Sequence, residues 1–384
     1  MTSGRSVQPT VAIVANGFGD GPAQALRDYF VARKTAVVTI FHPLTPEQGT
    51  THAITTYAGG VAVRDRAVRL PLRPPASFLL DSFVPLLPPR VDVWFGFNPL
   101  ACGRGLLARK QGRARFVAAW SVDFVPDRFG AGTFATRIYD RLDRACCLHA
   151  DARIELSPSA RDARNRRHGL TGRAAAAQVV PMGAWLDRLP RTAEDGFRQR
   201  RVVFLGHLVP RQGIETLLEA LALIVERGEQ IAAEIVGTGP LEPHLRERAS
   251  SLGLANVVHF HGFVVDHREV ERILAGSSIA VAPYEPTVDT FTRYADPGKL
   301  KAYVAAGLPV VLTDVPPNAA ELATEAGAEL VAYDAAAIAE AVTRGLAAVD
   351  TWRERRRSAL VYARRFDWNA LLPRLLDGLG LTST

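Results

Sequence analysis

Two lysines stand close together at the start of a predicted helix, and of all residues in this chain they are best suited to bind an anion. Lys299 and Lys301 follow Pro297 in the stretch YADPGKLKAYVAAGLPVVLTD, residues 294–314. The sequence has only four lysines among its 46 basic residues. A helix start offers free N–H groups and a positive dipole end, which suit a phosphate. We therefore expect Lys299 to be the primary phosphate ligand and Lys301 a secondary one; a solvated helix face is the alternative.

A short helix and a buried strand would position these lysines. Proline is favoured in the first turn of a helix, so the helix is predicted from about Gly298 to Ala306. Gly307 would end the helix with a left-handed cap. The apolar run over residues 309–312 is typical of a buried strand.

Glycine-containing loops follow the predicted strands in the second half of the chain. Strands are predicted over 201–205, 231–236, 257–260 and 279–283. The carboxyl ends of parallel strands meet at one edge of a doubly wound sheet, so we expect the loops to form one site for a nucleoside diphosphate. Glycine lets the backbone approach a ligand closely. On this hypothesis Gly237→Val abolishes nucleotide binding and leaves the fold intact.

The first half also alternates strands and helices. A strand over 10–15 leads into the loop NGFGDG (16–21) and a helix from Pro22. The glycine spacing is G-x-G-x-G, so it is not the dinucleotide fingerprint, and a simple tight turn is the alternative. His42 follows the second predicted strand, and Asp123 follows the strand predicted over 115–120. Both therefore stand where open α/β sheets bind ligands, although a structural histidine and a turn-capping aspartate are the alternatives.

Length and composition bound the class of protein. A chain of 384 residues with 48% hydrophobic content can bury two ordinary cores. Three cysteines without a C-x-x-C pair indicate neither a disulfide framework nor a zinc site, and the compartment they favour is the reducing cytoplasm. We expect no secretory signal and no membrane-spanning segment. Arginine- and alanine-rich usage indicates a bacterial genome.

The chain is basic, with a formal net charge of +7. Its arginines are scattered and accompany no nucleic-acid-binding module, so we expect no nucleic-acid partner. A solvated surface and peripheral contact with the inner face of an anionic membrane both remain open.

The segment that combines the predicted helix, the motif A-x-G-x-P-V-V and the buried strand resembles the donor-site segment of GT-B glycosyltransferases, specifically the retaining family 4. The resemblance covers most of the chain and is strongest over residues 201–315. It implies an α/β fold of two Rossmann-like, doubly wound parallel-sheet domains facing across a cleft. The expected divisions are an acceptor-binding domain (1–190), a nucleotide-sugar donor domain (191–366) and a C-terminal helix (367–384) that packs back on the first domain.

The resemblance also implies an activity. A UDP- or GDP-sugar would be the donor, a small molecule or lipid-linked glycan the acceptor, and transfer would proceed with retention and without a metal or cofactor. Asp123, Lys299 and Arg211 would be catalytic, and His42 and Asp20 would bind the acceptor. The expected donor-binding residues are Gly17, Gly19, Gly206, His207, Gly237, Thr238, Gly239, Gly262, Phe263, Val264, Tyr284, Asp296, Pro297, Gly298 and Lys301.

Three departures from the family pattern leave other functions open. The family commonly has G-R-L-x-x-x-K-G where this chain has GHLVPRQG, so His207 and Gln212 replace two cations. Tyr294 and Ala302 stand where the family has a pair of glutamates, and Val122 with Asp123 matches a family histidine. Arg211, Lys299 and Lys301 could supply the missing charge.

Two rival functions follow from these departures. One is a nucleotide-sugar-binding protein or an epimerase with a degenerate donor site. The other is a dinucleotide oxidoreductase, whose fingerprint is missing from the sequence. The sugar, the base, the acceptor atom and the oligomeric state stay undetermined.

Overall fold

The chain divides into two compact units. Unit 1 is Met1–Pro181 with Leu371–Thr384, and unit 2 is Met182–Ala370. The computed structural model describes residues 10–19, 21–81, 84, 90–264, 266–287, 294 and 296–381.

The division falls between Pro181 and Met182, whereas the sequence predicts it at residue 190. Backbone hydrogen bonds explain the difference. The Ala184 amide donates to the Phe366 carbonyl at 2.8 Å, and the Thr192 amide donates to the Ala306 carbonyl at 2.8 Å. The residues on either side of the expected boundary at 190 are thereby hydrogen-bonded to elements of unit 2.

Unit 1 contains a mixed sheet, which has eight strands among the described residues. They are β1 (Thr10–Asn16), β2 (Ala36–His42), β3 (Thr51–Ala58), β4 (Val61–Arg69), β5 (Val91–Gly96), β6 (Ala114–Ser121), β7 (Ala152–Glu155) and β8 (Ala177–Val179). The spatial order is β4-β3-β2-β1-β5-β6-β7-β8. The helices are α1 (Pro22–Ala32), α2 (Pro99–Lys110), α3 (Phe134–His149) and α4 (Pro158–His168). The order reverses between β1 and β5, so this is the topological switch point of the sheet.

The hairpin of β3 and β4 differs from the expected parallel sheet, because its strands are antiparallel. β3 pairs antiparallel with both β2 and β4. Gly59 and Gly60 join the two hairpin strands with φ values of 61° and 91°. Two glycines between strand-like runs are a hairpin signature, so the sequence did contain the signal.

In the proline-rich stretch 71–90, the sequence predicts a short helix over 77–87. The structure has a 3-10 helix at Ala76–Leu79. Residues 82–83 and 85–89 lie outside the described residues. Within the described ranges, no helix combines the length and apolar character needed to cross a bilayer.

Unit 2 contains a sheet that is parallel throughout its described pairs. Its strands are β9 (Arg201–Leu205), β10 (Ala232–Val236), β11 (Val258–Gly262), β12 (Ile279–Ala282), β13 (Val310–Thr313) and β14 (Glu329–Val331), in the order β11-β10-β9-β12-β13-β14. The helices are α5 (Ile214–Glu226), α6 (Glu242–Ser251), α7 (His267–Ala275), α8 (Gly298–Ala305), α9 (Ala319–Glu325), α10 (Ala335–Ala347) and α11 (Val349–Ala363). A last helix, α12 (Trp368–Gly378), begins in unit 2 and belongs to unit 1 from Leu371 onward.

Helices cover both faces of this second sheet, which explains the almost continuous apolar sequence of its strands. Successive side chains alternate between two hydrophobic cores: Val202 and Phe204 enter the core that includes α5 and α10, and Val203 enters the core that includes α8 and α11. The strand order reverses between β9 and β12, so the carboxyl ends of these two strands flank the switch point where such sheets bind ligands.

Candidate functional site

Helix α8 starts beside the switch point of unit 2. It begins at Gly298, and Pro297 precedes it as an extended cap with ψ 114°, one residue earlier than the predicted position in the first turn. Gly307 adopts a left-handed φ of 77° just after the helix, as predicted. The first N–H groups of an α-helix have no partner within the helix, so this end can receive an anion.

The ammonium of Lys299 lies among residues from β9 and from the loops after β9 and β12. Nζ is 2.5 Å from Oε1 of Gln212. It also lies 4.3 Å from the ring centroid of Phe204 and 4.3 Å from that of Tyr284. Gln212 occupies the position at which the resembling family carries a lysine. Lys299 thus brings a cation from α8 to a loop position whose own cation is missing.

Burial makes the charge of Lys299 costly in the ligand-free protein. Desolvation lowers the pKa of Lys299 well below the ordinary 10.5, and the nearby Arg211 guanidinium lowers it further. An anion placed beside Lys299 and Arg211 would raise the pKa of Lys299 again, because it favours the charged form of the lysine. The pair formed by Arg211 and Lys299 therefore favours a ligand that carries negative charge.

The glycine loops of unit 2 are joined to each other by backbone hydrogen bonds. The Gly206 amide donates to Val236 at 2.9 Å, the Gly237 amide to Gly262 at 3.0 Å, and the Leu208 amide to Thr238 at 3.0 Å. As expected, the loops lie together at the carboxyl edge of the sheet.

The reason for glycine at two of these positions differs from the expected one. A Cβ on Gly237 would lie 2.0 Å from the Gly206 carbonyl oxygen, and a Cβ on Gly239 would lie 2.4 Å from the Leu208 carbonyl oxygen. Glycine is needed there because two loops touch, so Gly237→Val cannot leave the fold intact. Gly206 is different, since its Cβ would face Lys299 Nζ at 3.6 Å.

Asp296 and Lys301 form a buried ion pair. Lys301 Nζ lies 3.2 Å from Oδ1 of Asp296, and the two side chains are 3% and 6% exposed. Oδ2 of Asp296 accepts the Met182 amide at 2.7 Å, and Lys301 Nζ lies 3.6 Å from the ring centroid of Phe366. This geometry conflicts with the expected roles of Asp296 as a donor-binding residue and of Lys301 as a second phosphate ligand. Both side chains instead hold the first residues of unit 2 against α8.

The other residues expected at the donor site vary in exposure. His207 and Thr238 are exposed, and Thr238 Oγ1 donates to Glu242 Oε2 at 2.7 Å. Phe263 is 73% exposed, whereas Val264 packs against the core. The side chains of Phe263 and His207 are therefore accessible to a nucleotide.

In unit 1, the expected site residues are distributed among several contacts. Gly17 has a φ of 106° and donates its amide to the His42 carbonyl at 2.8 Å. A Cβ placed on Gly19 would have no described atom within 4 Å. Asp20 lies outside the described residues. Asp123 pairs through Oδ1 with Nη2 of Arg128 at 2.5 Å. Asp123 is thus part of an ion pair at the carboxyl end of β6.

His42 is buried, which conflicts with its expected contact to an acceptor. Its side chain is 2% exposed, and its Nδ1 lies 2.8 Å from Nδ1 of His52. Burial, then the charges of His52 and Arg104, lower the pKa of His42 to about 3, so the ring is neutral at neutral pH. Asp81 is the third member of this cluster, and burial raises its pKa to about 6.

Sequence reasoning overlooked His52 and Asp81. It also overlooked Asn98, which caps α2 and donates to Asn16 Oδ1 at 2.7 Å. Asn16 and Asn98 could have been found from the sequence, because both are polar residues at the ends of predicted strands. No local pattern connected Asp81 with either histidine.

A known protein family matches a part of the chain that lies in unit 2. The family described as "Glycosyl transferases group 1" matches residues 199–348. This range contains β9 to α10 and the Lys299 site.

Curated relatives are similar over part of their length. A GDP-mannose-dependent alpha-(1-6)-phosphatidylinositol monomannoside mannosyltransferase of Mycolicibacterium smegmatis is 28% identical over 264 residues, which are 60% of this chain and 64% of that protein. A phosphatidyl-myo-inositol mannosyltransferase of Mycobacterium leprae is 31% identical over 222 residues, 55% of each chain. The chain thus matches less than two thirds of the length of these relatives.

Solved structures are similar over nearly the whole chain. A sucrose-phosphate synthase from Thermosynechococcus elongatus superposes with a TM-score of 0.71 at 19% identity, covering 98% of this chain and 100% of that one. Anabaena HepE in complex with UDP and glucose gives a TM-score of 0.68 at 15% identity, covering 97% and 100%. The GT-B fold and the resemblance to glycosyltransferases are confirmed.

Substituting Gly237 tests the loop contact. We expect Gly237→Ala to lower the free energy of unfolding by more than Gly253→Ala, because both positions have positive φ but only Gly237 has a carbonyl oxygen where the Cβ would go. Overpacking of this kind costs roughly 1–3 kcal/mol beyond the backbone strain. Urea denaturation of both variants measures the difference; equal losses would contradict the steric argument.

Removing one member of the Asp296–Lys301 pair tests its structural role. Lys301→Met should destabilise the protein by about 3–5 kcal/mol, because it leaves Asp296 buried without its cation. The exposed Lys110→Met should change stability by no more than about 0.5 kcal/mol. In thermal denaturation, the double variant Asp296→Asn/Lys301→Met should recover part of the loss. A Lys301→Met protein as stable as the Lys110→Met control would show that the pair contributes nothing.

Proposed function

We propose that this chain transfers a sugar from a nucleoside-diphosphate sugar to an acceptor, and that Lys299 holds the diphosphate of the donor. The observation that carries the proposal is the position of the Lys299 ammonium. It lies at the switch point of the unit 2 sheet, bonded to Gln212 and next to the first turn of α8. That position combines a cation with the N-terminus of a helix, and both favour a diphosphate.

The names of the similar proteins support a choice of donor and acceptor. The mycobacterial relative is GDP-mannose-dependent and acts on a phosphatidylinositol monomannoside, whereas HepE was solved with UDP. We propose a UDP- or GDP-sugar as the donor, with GDP-mannose as the first candidate, and a lipid-linked glycan as the acceptor. A lipid acceptor requires peripheral contact with a membrane, to which the net charge of +7 would contribute. The three cysteines are free and buried, in keeping with a cytoplasmic location.

The proposed chemistry depends on electrostatics. Negative charge accumulates on the diphosphate as it leaves, and preorganised cations and N–H groups lower the barrier by stabilising that charge. Arg211 and Lys299 are the cations at this position, and binding of the diphosphate would restore the pKa of Lys299 that burial lowers. In this scheme, Asp123, fixed by Arg128, orients the acceptor, and transfer proceeds with retention.

Release of nucleoside diphosphate tests the function. The full chain is incubated with GDP-mannose or UDP-glucose, with and without phosphatidylinositol-containing vesicles, while calorimetry measures the binding of GDP and UDP. Acceptor-dependent release supports a transferase. Binding without release in any mixture would instead indicate a protein with a degenerate donor site, and a chain that binds neither nucleotide would refute the proposed donor site.

Lys299→Met separates ligand binding from folding. Methionine keeps the bulk of the side chain and removes the charge, so the ligand-free variant should be at least as stable as the wild type. A charge-assisted hydrogen bond to phosphate contributes about 1.5–3 kcal/mol, so nucleoside-diphosphate-sugar turnover should fall roughly 10- to 150-fold. Turnover should fall more than donor affinity, because charge builds up in the transition state.

Two control variants sharpen this experiment. Lys299→Arg should recover only part of the activity, because arginine restores the positive charge but places it on a planar guanidinium instead of a compact ammonium. Lys110→Met should behave like the wild type. Steady-state kinetics that show unchanged turnover and an unchanged donor KM in Lys299→Met would exclude this lysine as the diphosphate ligand.

Donor transfer should not need an added divalent cation. The sequence has no Asp-x-Asp motif, and two basic side chains with a helix start can neutralise the diphosphate. Initial rates measured with 1 mM-scale EDTA and with added Mg²⁺ or Mn²⁺ should therefore agree within about twofold. A rate that appears only when Mg²⁺ or Mn²⁺ is present would contradict the metal-free donor site.

A further inference from the structure

Three potential metal ligands meet inside unit 1, and none of them is used in the proposed transfer. His42 ends β2, His52 is the second residue of β3, and Asp81 follows the 3-10 helix at Ala76–Leu79. The antiparallel register pairs Phe41 with Ala53. The next residues along the two strands are His42 and His52, which therefore face each other on the same side of the sheet.

The distances among the three ligand atoms match a coordination site. The two Nδ1 atoms are 2.8 Å apart, and Oδ1 of Asp81 is 3.7 Å from each of them. In a triangle with these sides, the point equidistant from the three corners lies about 2.0 Å from each atom. Zinc–imidazole and zinc–carboxylate bonds have this length. A cation would need little rearrangement of the side chains.

The Asp81 carboxylate supplies a second, independent observation. Its side chain is only 6% exposed, and its Oδ1 has no hydrogen-bond partner among the residues that the structure describes. Its Oδ2 accepts from Asn16 Nδ2 at 2.8 Å, and Asn16 is held in turn by Asn98. An orienting hydrogen bond on one oxygen, with the other oxygen directed at two imidazoles, is typical of a metal-ligating carboxylate.

A proton shared by the two histidines explains only part of this geometry. One Nδ1–H can donate to the other Nδ1, which satisfies both rings at that side. The buried Oδ1 of Asp81 then still lacks a partner, which costs free energy. A cation at the equidistant point would satisfy the two nitrogens and the oxygen together.

We propose that His42, His52 and Asp81 bind a divalent transition-metal cation of the zinc class. Imidazole with carboxylate suits Zn²⁺ and its neighbours better than Mg²⁺ or Ca²⁺. The carboxylate offsets one of the two positive charges. Arg104, the nearby cation, donates to the backbone carbonyls of Asp81 and Val84, so it fixes this segment and leaves Oδ1 to the metal.

The proposed ion would join β2 and β3 to the segment that carries Asp81. β3 and β4 form the edge of the sheet, and a cross-link there would hold the hairpin to the parallel strands. The site belongs to unit 1, and the Lys299 site belongs to unit 2. The inference therefore stands whether or not the proposed transfer is correct.

Metal titration of the full chain tests the proposal. After exhaustive dialysis against a strong chelator, Zn²⁺ is added in competition with a chromophoric chelator, and Co²⁺ is added separately to record its visible absorption. We expect one Zn²⁺ per chain and a Co²⁺ spectrum typical of nitrogen and oxygen ligands. Zn²⁺ should also raise the melting temperature of the metal-free wild type.

Asp81→Asn is the deciding variant, because it keeps the shape of the side chain and an oxygen for Asn16. It should weaken Zn²⁺ binding by more than about 100-fold and abolish the thermal shift. His261→Gln is the control: His261 lies beside His259 and bonds Glu234 near the surface, so it represents unspecific histidine sites. Its Zn²⁺ affinity should equal that of the wild type. Wild-type affinity in Asp81→Asn, loss of binding in His261→Gln, or no Zn²⁺ bound by the wild type would each overturn the proposal.

Discussion

The half-buried and partly desolvated ammonium of Lys299 is the main charge at the carboxyl edge of unit 2. Among the described residues, the ammonium contacts the Gln212 side chain and the faces of two aromatic rings, which satisfy it only in part. Arg211 adds a second positive charge. Because two positive charges lie close together, the position favours an anion, whose charge would raise the pKa of Lys299 again. The loop after β9, α8 and the two rings together hold this cation at the switch point.

Two lysines separated by one residue have opposite roles because of the helix period. Positions two apart differ by about 200° around an α-helix, so Lys299 and Lys301 leave α8 on different sides. Lys299 faces the loop after β9, whereas Lys301 turns into the core and pairs with Asp296. The pair holds Met182, the first residue of unit 2, and so ties the start of this unit to the helix that carries Lys299. One short helix therefore provides both the proposed ligand contact and its support.

Both units gather polar side chains at the carboxyl ends of their strands. In unit 1, Asn16, His42 and Asn98 follow or end parallel strands beside the switch point, just as the glycine loops do in unit 2. The consequence differs because His42 is buried, while Asn16 and Asn98 are half-buried. Buried polar atoms need partners, and here they find one another, with the exception of atoms such as Asp81 Oδ1. A buried cluster of this kind suits an ion, while an accessible edge suits an organic substrate.

Local sequence was enough to predict the alternation of strands and helices, the parallel sheet of unit 2, and the bounds of α8 with its glycine cap. These features depend on periodicity and on residues that are neighbours along the chain. Local sequence also predicted that the glycine loops converge, since chain direction alone sends them to one edge. Tertiary structure decided the rest: the partner of Lys301, the contact that makes Gly237 indispensable, and the meeting of His42 with Asp81. Each of these joins side chains or loops that are distant in sequence, and their distance in space is set by packing, which no local pattern records.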